Sequence, residues 1–194
     1  MITRRGCIQL TVLGGAGFLL SGHMPYKQWA VYRSQRLMIV ASRSEEAAFP
    51  LAKALVAELE AKIPRARPDA TRAPSILHVT RLLLTQQIQI AVMTEDQARL
   101  MASGEGEAGY EGAVPLRVLA FLSEPYVLVS HADFADDRAR LIAASLFGKH
   151  RSTLISPRLS SPQAMRRRAE ELRIPLHQGT EKYLFNPPSD APAP

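Results

Sequence analysis

After its first three dozen residues the chain alternates between short, unbroken apolar runs and longer stretches in which apolar residues recur with a helical period. Leu37-Met38-Ile39-Val40-Ala41 is apolar without alternation, which predicts a strand buried on both faces. Residues 48–63 carry Leu51, Leu55, Val56, Leu59 and Ile63 on one side and Lys53, Glu58, Glu60 and Lys62 on the other. That is an amphipathic helix, ended by Pro64 and Pro68. Pro74-Ser75 opens a second helix, with Ile76, Leu77, Thr80, Leu83 and Leu84 along its apolar side. Residues 88–92 predict a second buried strand. Thr94 then reads as the N-cap of a short helix through Met101, followed by a loop with Gly104, Gly106, Gly109 and Gly112. Residues 116–122 and 126–130 are two more strands, separated by Ser123-Glu124-Pro125, and residues 135–147 and 162–172 are helices. Strands alternating with helices predict an α/β domain, a mostly parallel sheet flanked by helices, over residues 37–185. No internal repeat is present.

The first 22 residues have a different pattern. Thr3-Arg4-Arg5 is basic, the run from Cys7 to Leu20 is apolar but diluted by Gly14, Gly15 and Gly17, and Ser21-Gly22 closes it. This order matches an export signal. Glycines so close together make a poor soluble helix. Arg4 and Arg5 before a weakly apolar core resemble a twin-arginine export signal, with Cys7-Ile8 in place of the usual Phe-Leu. No Ala-x-Ala cleavage site follows, and Tyr26, Trp29 and Tyr32 with Lys27, Arg33 and Arg36 make residues 23–36 a juxtamembrane linker. The pattern fits both a retained anchor helix and a cleaved signal. The expected location is the periplasm, or the inner membrane facing it. At the other end, residues 186–194 form a proline-rich segment read as a disordered tail.

Composition narrows the chemistry. The chain is 46% hydrophobic and 22% charged, as a globular domain is, and its net charge is +6. The one dense basic run, Arg166-Arg167-Arg168, reads first as the solvated face of a helix and, as the sharper alternative, as a surface for an acidic partner or membrane; no reader motif accompanies it, so nucleic acid is not an expected partner. Cys7 is the single cysteine, so neither an intrachain disulfide nor a cysteine zinc site can form. His23, His78, His131, His150 and His177 have no metal-ligand spacing. No nucleophile elbow, phosphate loop or dinucleotide fingerprint occurs. The sequence therefore predicts no catalytic residues, no metal and no cofactor.

In order along the chain, several segments resemble TAXI-type solute-binding proteins, the extracytoplasmic receptors associated with TRAP transporters. Met38-Ile39-Val40-Ala41-Ser42 through Phe49-Pro50-Leu51-Ala52 looks like the family's opening strand and helix. Gln87-Ile88-Gln89-Ile90-Ala91-Val92-Met93, Val114-Pro115-Leu116-Arg117-Val118-Leu119-Ala120 and Pro125-Tyr126-Val127-Leu128-Val129 resemble the strands that follow. Leu141 to Phe147 is similar to a late helix, and Ile174-Pro175-Leu176-His177-Gln178-Gly179 with Tyr183 to the terminal segment, which makes His177 a structural element. The resemblance implies one lobe of a type II periplasmic-binding fold. Two departures follow. Only residues 131–140 stand where the second lobe would be inserted, and the glycine-rich ligand loop is replaced by Ser42-Arg43-Ser44-Glu45-Glu46-Ala47-Ala48-Phe49.

A receptor cleft buries roughly 70–90% of a small ligand between two walls. Halving a micromolar binding free energy of about −8 kcal/mol leaves about −4, which is roughly millimolar. A lone lobe is therefore expected to act through a protein partner, such as a transporter subunit or an exported enzyme. The alternative is a receptor for a small organic acid that completes its cleft by dimerising. Its wall would comprise Ser42, Arg43, Ser44, Phe49, Ser75, Thr94 and Asp96, all near strand ends or helix starts.

Overall fold

The computed structural model describes residues 36–186 except Ser160. The expected signal or anchor (1–22), the linker up to residue 35 and the tail beyond Asn186 lie outside the described residues. In chain order the elements are β1 (Leu37–Ser42), α1 (Ala48–Lys62), β2 (Pro68–Ala73), α2 (Ile76–Leu84), β3 (Ile90–Thr94), α3 (Glu95–Ser103), β4 (Leu116–Phe121), β5 (Tyr126–His131), α4 (Asp136–Phe147), α5 (Pro162–Leu172) and α6 (Gln178–Phe185). Short 3₁₀ turns lie at Pro64–Ala66 and Pro157–Leu159.

The strands form one five-stranded sheet in the order β2-β1-β3-β5-β4. β1 pairs in parallel with β2 and β3, whereas β5 pairs antiparallel with β3 and β4. The sheet is therefore mixed, with β5 alone running against the other four, where a mostly parallel sheet was expected. The reason lies in residues 122–125, the whole link between β4 and β5. A parallel crossover needs about a dozen residues, so a link this short imposes a hairpin-like, antiparallel neighbour.

Unbroken apolar runs become strands buried on both sides, with successive residues facing opposite helix layers. Val40, Ala91, Met93, Val118, Val127 and Val129 face α2, α3 and α5, meeting Val79, Leu83, Met101 and Met165. Ile39, Ala41, Ile90, Val92, Leu119 and Leu128 face α1 and α4, meeting Leu55, Leu59, Ile142 and Leu146. Each of the fully buried valine, leucine, isoleucine and methionine side chains contributes roughly 1.5–3 kcal/mol, and each alanine less.

The two sheet edges differ. β4 is covered by the segment before α6: Val118 N–H donates to Pro175 O (2.9 Å) and His177 N–H to Val118 O (2.8 Å). β2 is an edge strand, and the sequence pattern missed it. Pro-Asp-Ala-Thr-Arg-Ala is polar because most of the strand is only half-buried, and proline is tolerated as its first residue. α6 is a further element without a helical sequence pattern, a short helix with Gly179 in its first turn. Here tertiary packing overrides a weak intrinsic propensity. Among the described residues no helix is long and apolar enough to cross a membrane.

Among the described residues, the hydroxyls of Ser130 and Thr180 are buried without a hydrogen-bond partner. Thr180→Val keeps the shape and removes the unsatisfied group, so it is expected to stabilise the domain by about 1 kcal/mol. Calorimetry should then show a melting temperature about 2–4 °C higher. A lower melting temperature would mean that the hydroxyl is solvated in the folded chain.

Candidate functional site

The parallel strands β2, β1 and β3 end side by side, with Ser42 in register with Ala73 and Ala41 with Val92. β5 begins at the same edge, where Tyr126 lies opposite Thr94. This is the carboxyl edge of the sheet, and the crevice outside it is where open α/β sheets receive ligands. α1, α2 and α3 start there.

The structure brings four of the expected wall residues to this edge as internally bonded groups. Ser42 is buried, and its Oγ lies 2.6 Å from Ser44 Oγ and accepts from Ser44 N–H at 3.2 Å. Ser75 caps α2 by accepting from His78 N–H at 3.3 Å. Thr94 caps α3 in a reciprocal capping box, its Oγ1 accepting from Gln97 N–H while Gln97 Oε1 accepts from Thr94 N–H, both at 3.3 Å. The other three play different parts. Arg43 anchors its backbone N–H on Ala73 O at 2.8 Å and extends an exposed side chain. Phe49 is half-buried beneath Arg72, whose guanidinium carbon sits 4.7 Å from the ring centroid. Asp96 is 89% exposed and meets Arg99 of its own helix at 3.9 Å.

A link across the edge escaped the sequence reading. Gln97 Nε2 donates to Glu45 Oε1 at 2.8 Å, tying the loop after β1 to the first turn of α3. Burial, and then the neighbouring Glu45 carboxylate, push the Tyr126 phenol above its ordinary pKa. The Thr-x-x-Gln spacing is a capping-box signature that could have identified Gln97. Glu45 and Tyr126 carry no such signal, because their approach depends on strand order.

The arginine run is more than a solvated face. Arg168 joins Glu95 of α3 at 2.5 Å and Glu171 at 2.9 Å, while Arg166 pairs with Glu181 of α6 and lies 4.1 Å from the centroid of the Phe185 ring. Two of the three guanidinium groups thus clasp α5 to its neighbours. Among the described residues no group of three or more His, Cys, Asp or Glu side chains is placed to hold a metal ion. Neither a protein-family model nor a curated protein matches this chain.

Proposed function

We propose that the chain is a non-catalytic, extracytoplasmic lobe of the TAXI solute-receptor type that works by docking on a protein partner, a transporter subunit or an exported enzyme. One observation carries this reading. At the carboxyl edge, the hydroxyls expected to receive a small ligand are already bonded to one another or to helix N-termini, and the neighbouring Gln97 amide is bonded to the Glu45 carboxylate. A ligand could reach the hydroxyl protons that remain but would find these groups fixed in structural roles, and it would gain contacts on one wall only. Four co-directional strands with helices on both faces suit a receptor lobe. The basic, weakly apolar segment before residue 22 supports export.

A second reading is a small organic-acid receptor that gains its opposite wall from another copy. It is favoured by the exposed guanidinium groups of Arg43 and Arg72 on the same edge, which would suit a carboxylate.

A thermal-shift screen and photo-crosslinking separate the two. Mono- and dicarboxylates are expected to leave the melting temperature unchanged, since a ligand that binds the folded chain must raise it. A photoreactive residue at Arg43 should crosslink, in the periplasmic or inner-membrane fraction, to a transporter subunit or exported enzyme. The same residue at Glu60, at the far end of α1, should not. A saturable carboxylate shift without a crosslink would favour the receptor. Recovery of the chain in the cytosol would sink both.

A further inference from the structure

Among the described residues, the large apolar side chains left exposed are Tyr110, 79% exposed, and Leu141, 51% exposed. They lie on opposite faces of the sheet and in surroundings of opposite charge. Tyr110 is in the loop between α3 and β4, over the α2, α3 and α5 layer, where Ala108 and Val114 join the core. Residues 104–113 carry Glu105, Glu107 and Glu111 and no lysine or arginine, in a chain whose net charge is +6.

The loop is held firmly. Ala108 O accepts from the buried Thr80 hydroxyl at 2.6 Å, and Val114 N–H donates to Met101 O at 3.0 Å. Gly109 packs so closely on the start of the loop that a Cβ there would meet Gly104 C at 2.2 Å and Glu105 N at 2.1 Å. Arg81 engages Glu111 at 2.6 Å, whereas Glu105 and Glu107 have no basic partner among the described residues.

Leu141 lines a groove of about 320 Å³ on the other layer, between the ends of α1 and α4. Its floor includes Ile63 and Ala144, and Lys149 and His150 are on its rim. Lys62 fixes one wall, donating to Glu58 (2.6 Å), Ser145 O (2.6 Å) and His150 O (2.7 Å). Arg140 is exposed beside Leu141, and among the described residues neither Arg140 nor Lys149 pairs with a carboxylate.

We propose that the chain self-associates head to tail, the Tyr110 loop of one copy entering the Leu141 groove of the next with Glu105 and Glu107 facing its Arg140 and Lys149. Charge and apolar character match in this direction: a rigid acidic projection carries one aromatic ring, and the groove with an apolar floor is flanked by Arg140 and Lys149. Preorganisation of both surfaces reduces the ordering cost of association. Because it joins two different surfaces, on opposite sheet faces, the contact is heterologous, and it adds copies into a ring where the rotation closes and into an open filament where it does not.

Sedimentation velocity of the full chain in a mild detergent tests this. The average mass should rise with protein concentration, and the rise should shrink at high salt, where exposed charge pairs are screened. Tyr110→Ser and Leu141→Ser should each weaken association by about ten-fold or more while leaving circular dichroism unchanged. Mixing the two variants should restore one-to-one pairs and nothing larger, because each supplies the surface the other lacks. Lys149→Glu should weaken assembly, and adding Glu107→Lys to the same chain should recover it. Monomers at every concentration, an unaffected single variant, or a mixture that stays monomeric would each overturn the proposal.

Discussion

Gly179→Ala should lower stability by about 3 kcal/mol, as forcing an extra carbon into a closed contact does. For a chain of this size that is a melting temperature about 6–12 °C lower. A Cβ at this position would stand 2.1 Å from Asp136 O, 2.9 Å from Ala139 Cβ and 2.9 Å from Arg140 N. Two of those three neighbours are backbone atoms in the first turns of α4, so no side-chain rotation relieves the clash. α6 must lift away from α4, and the Tyr183 ring, 7% exposed, loses its cover. Alanine is the better helix former by about 1 kcal/mol, which makes the sign informative. If thermal denaturation shows an unchanged or higher melting point, the close approach of α6 to α4 is wrong.

His177→Ala is the second large loss, about 3 kcal/mol, combining a missing cap with a stranded carbonyl. His177 is 2% exposed. Its Nδ1 accepts from Gly179 N–H at 3.1 Å, so Nε2 carries the proton and donates to Phe134 O at 2.8 Å. The Phe134 ring meets the imidazole edge-on, 5.8 Å between centroids. Burial pushes the pKa of His177 below its ordinary 6.5, against the opposite pull of the Phe134 carbonyl and Asp136. The folded chain therefore binds this proton more weakly than the unfolded chain. Stability from the neutral ring is complete above about pH 6.5 and declines as the pH falls toward the depressed folded pKa. Urea titrations at pH 7.5 and 5.5 should show the parent losing more stability on acidification than His177→Ala. Equal losses in the two proteins would remove His177 as the source.

Local chemistry made much of this fold readable. α2 starts after Ser75 and α3 after Thr94 because each hydroxyl satisfies an N–H that the helix itself leaves open. The run from Leu37 is a strand because both its faces meet helices. What escaped depends on neighbours distant in sequence. β2 is recognisable only once β1 lies beside it, and α6 only once α4 receives Gly179. The direction of β5 was available in principle from the short link at residues 122–125, which forbids a crossover. At the carboxyl edge, Ser75 and Thr94 were legible as caps. The Glu45–Gln97 bond was not, since it joins the loop after β1 to the first turn of α3, which meet only after the sheet has assembled.

The segment that shields β4 is made late. During synthesis β4 and β5 exist before Pro175, Leu176 and His177 have left the ribosome, so for that interval the outer backbone groups of β4 face whatever extended chain is near. A polypeptide interrupted in the interval keeps a strand edge able to template pairing with another chain. Synthesis of residues 174–185 therefore removes an aggregation hazard as well as adding α6.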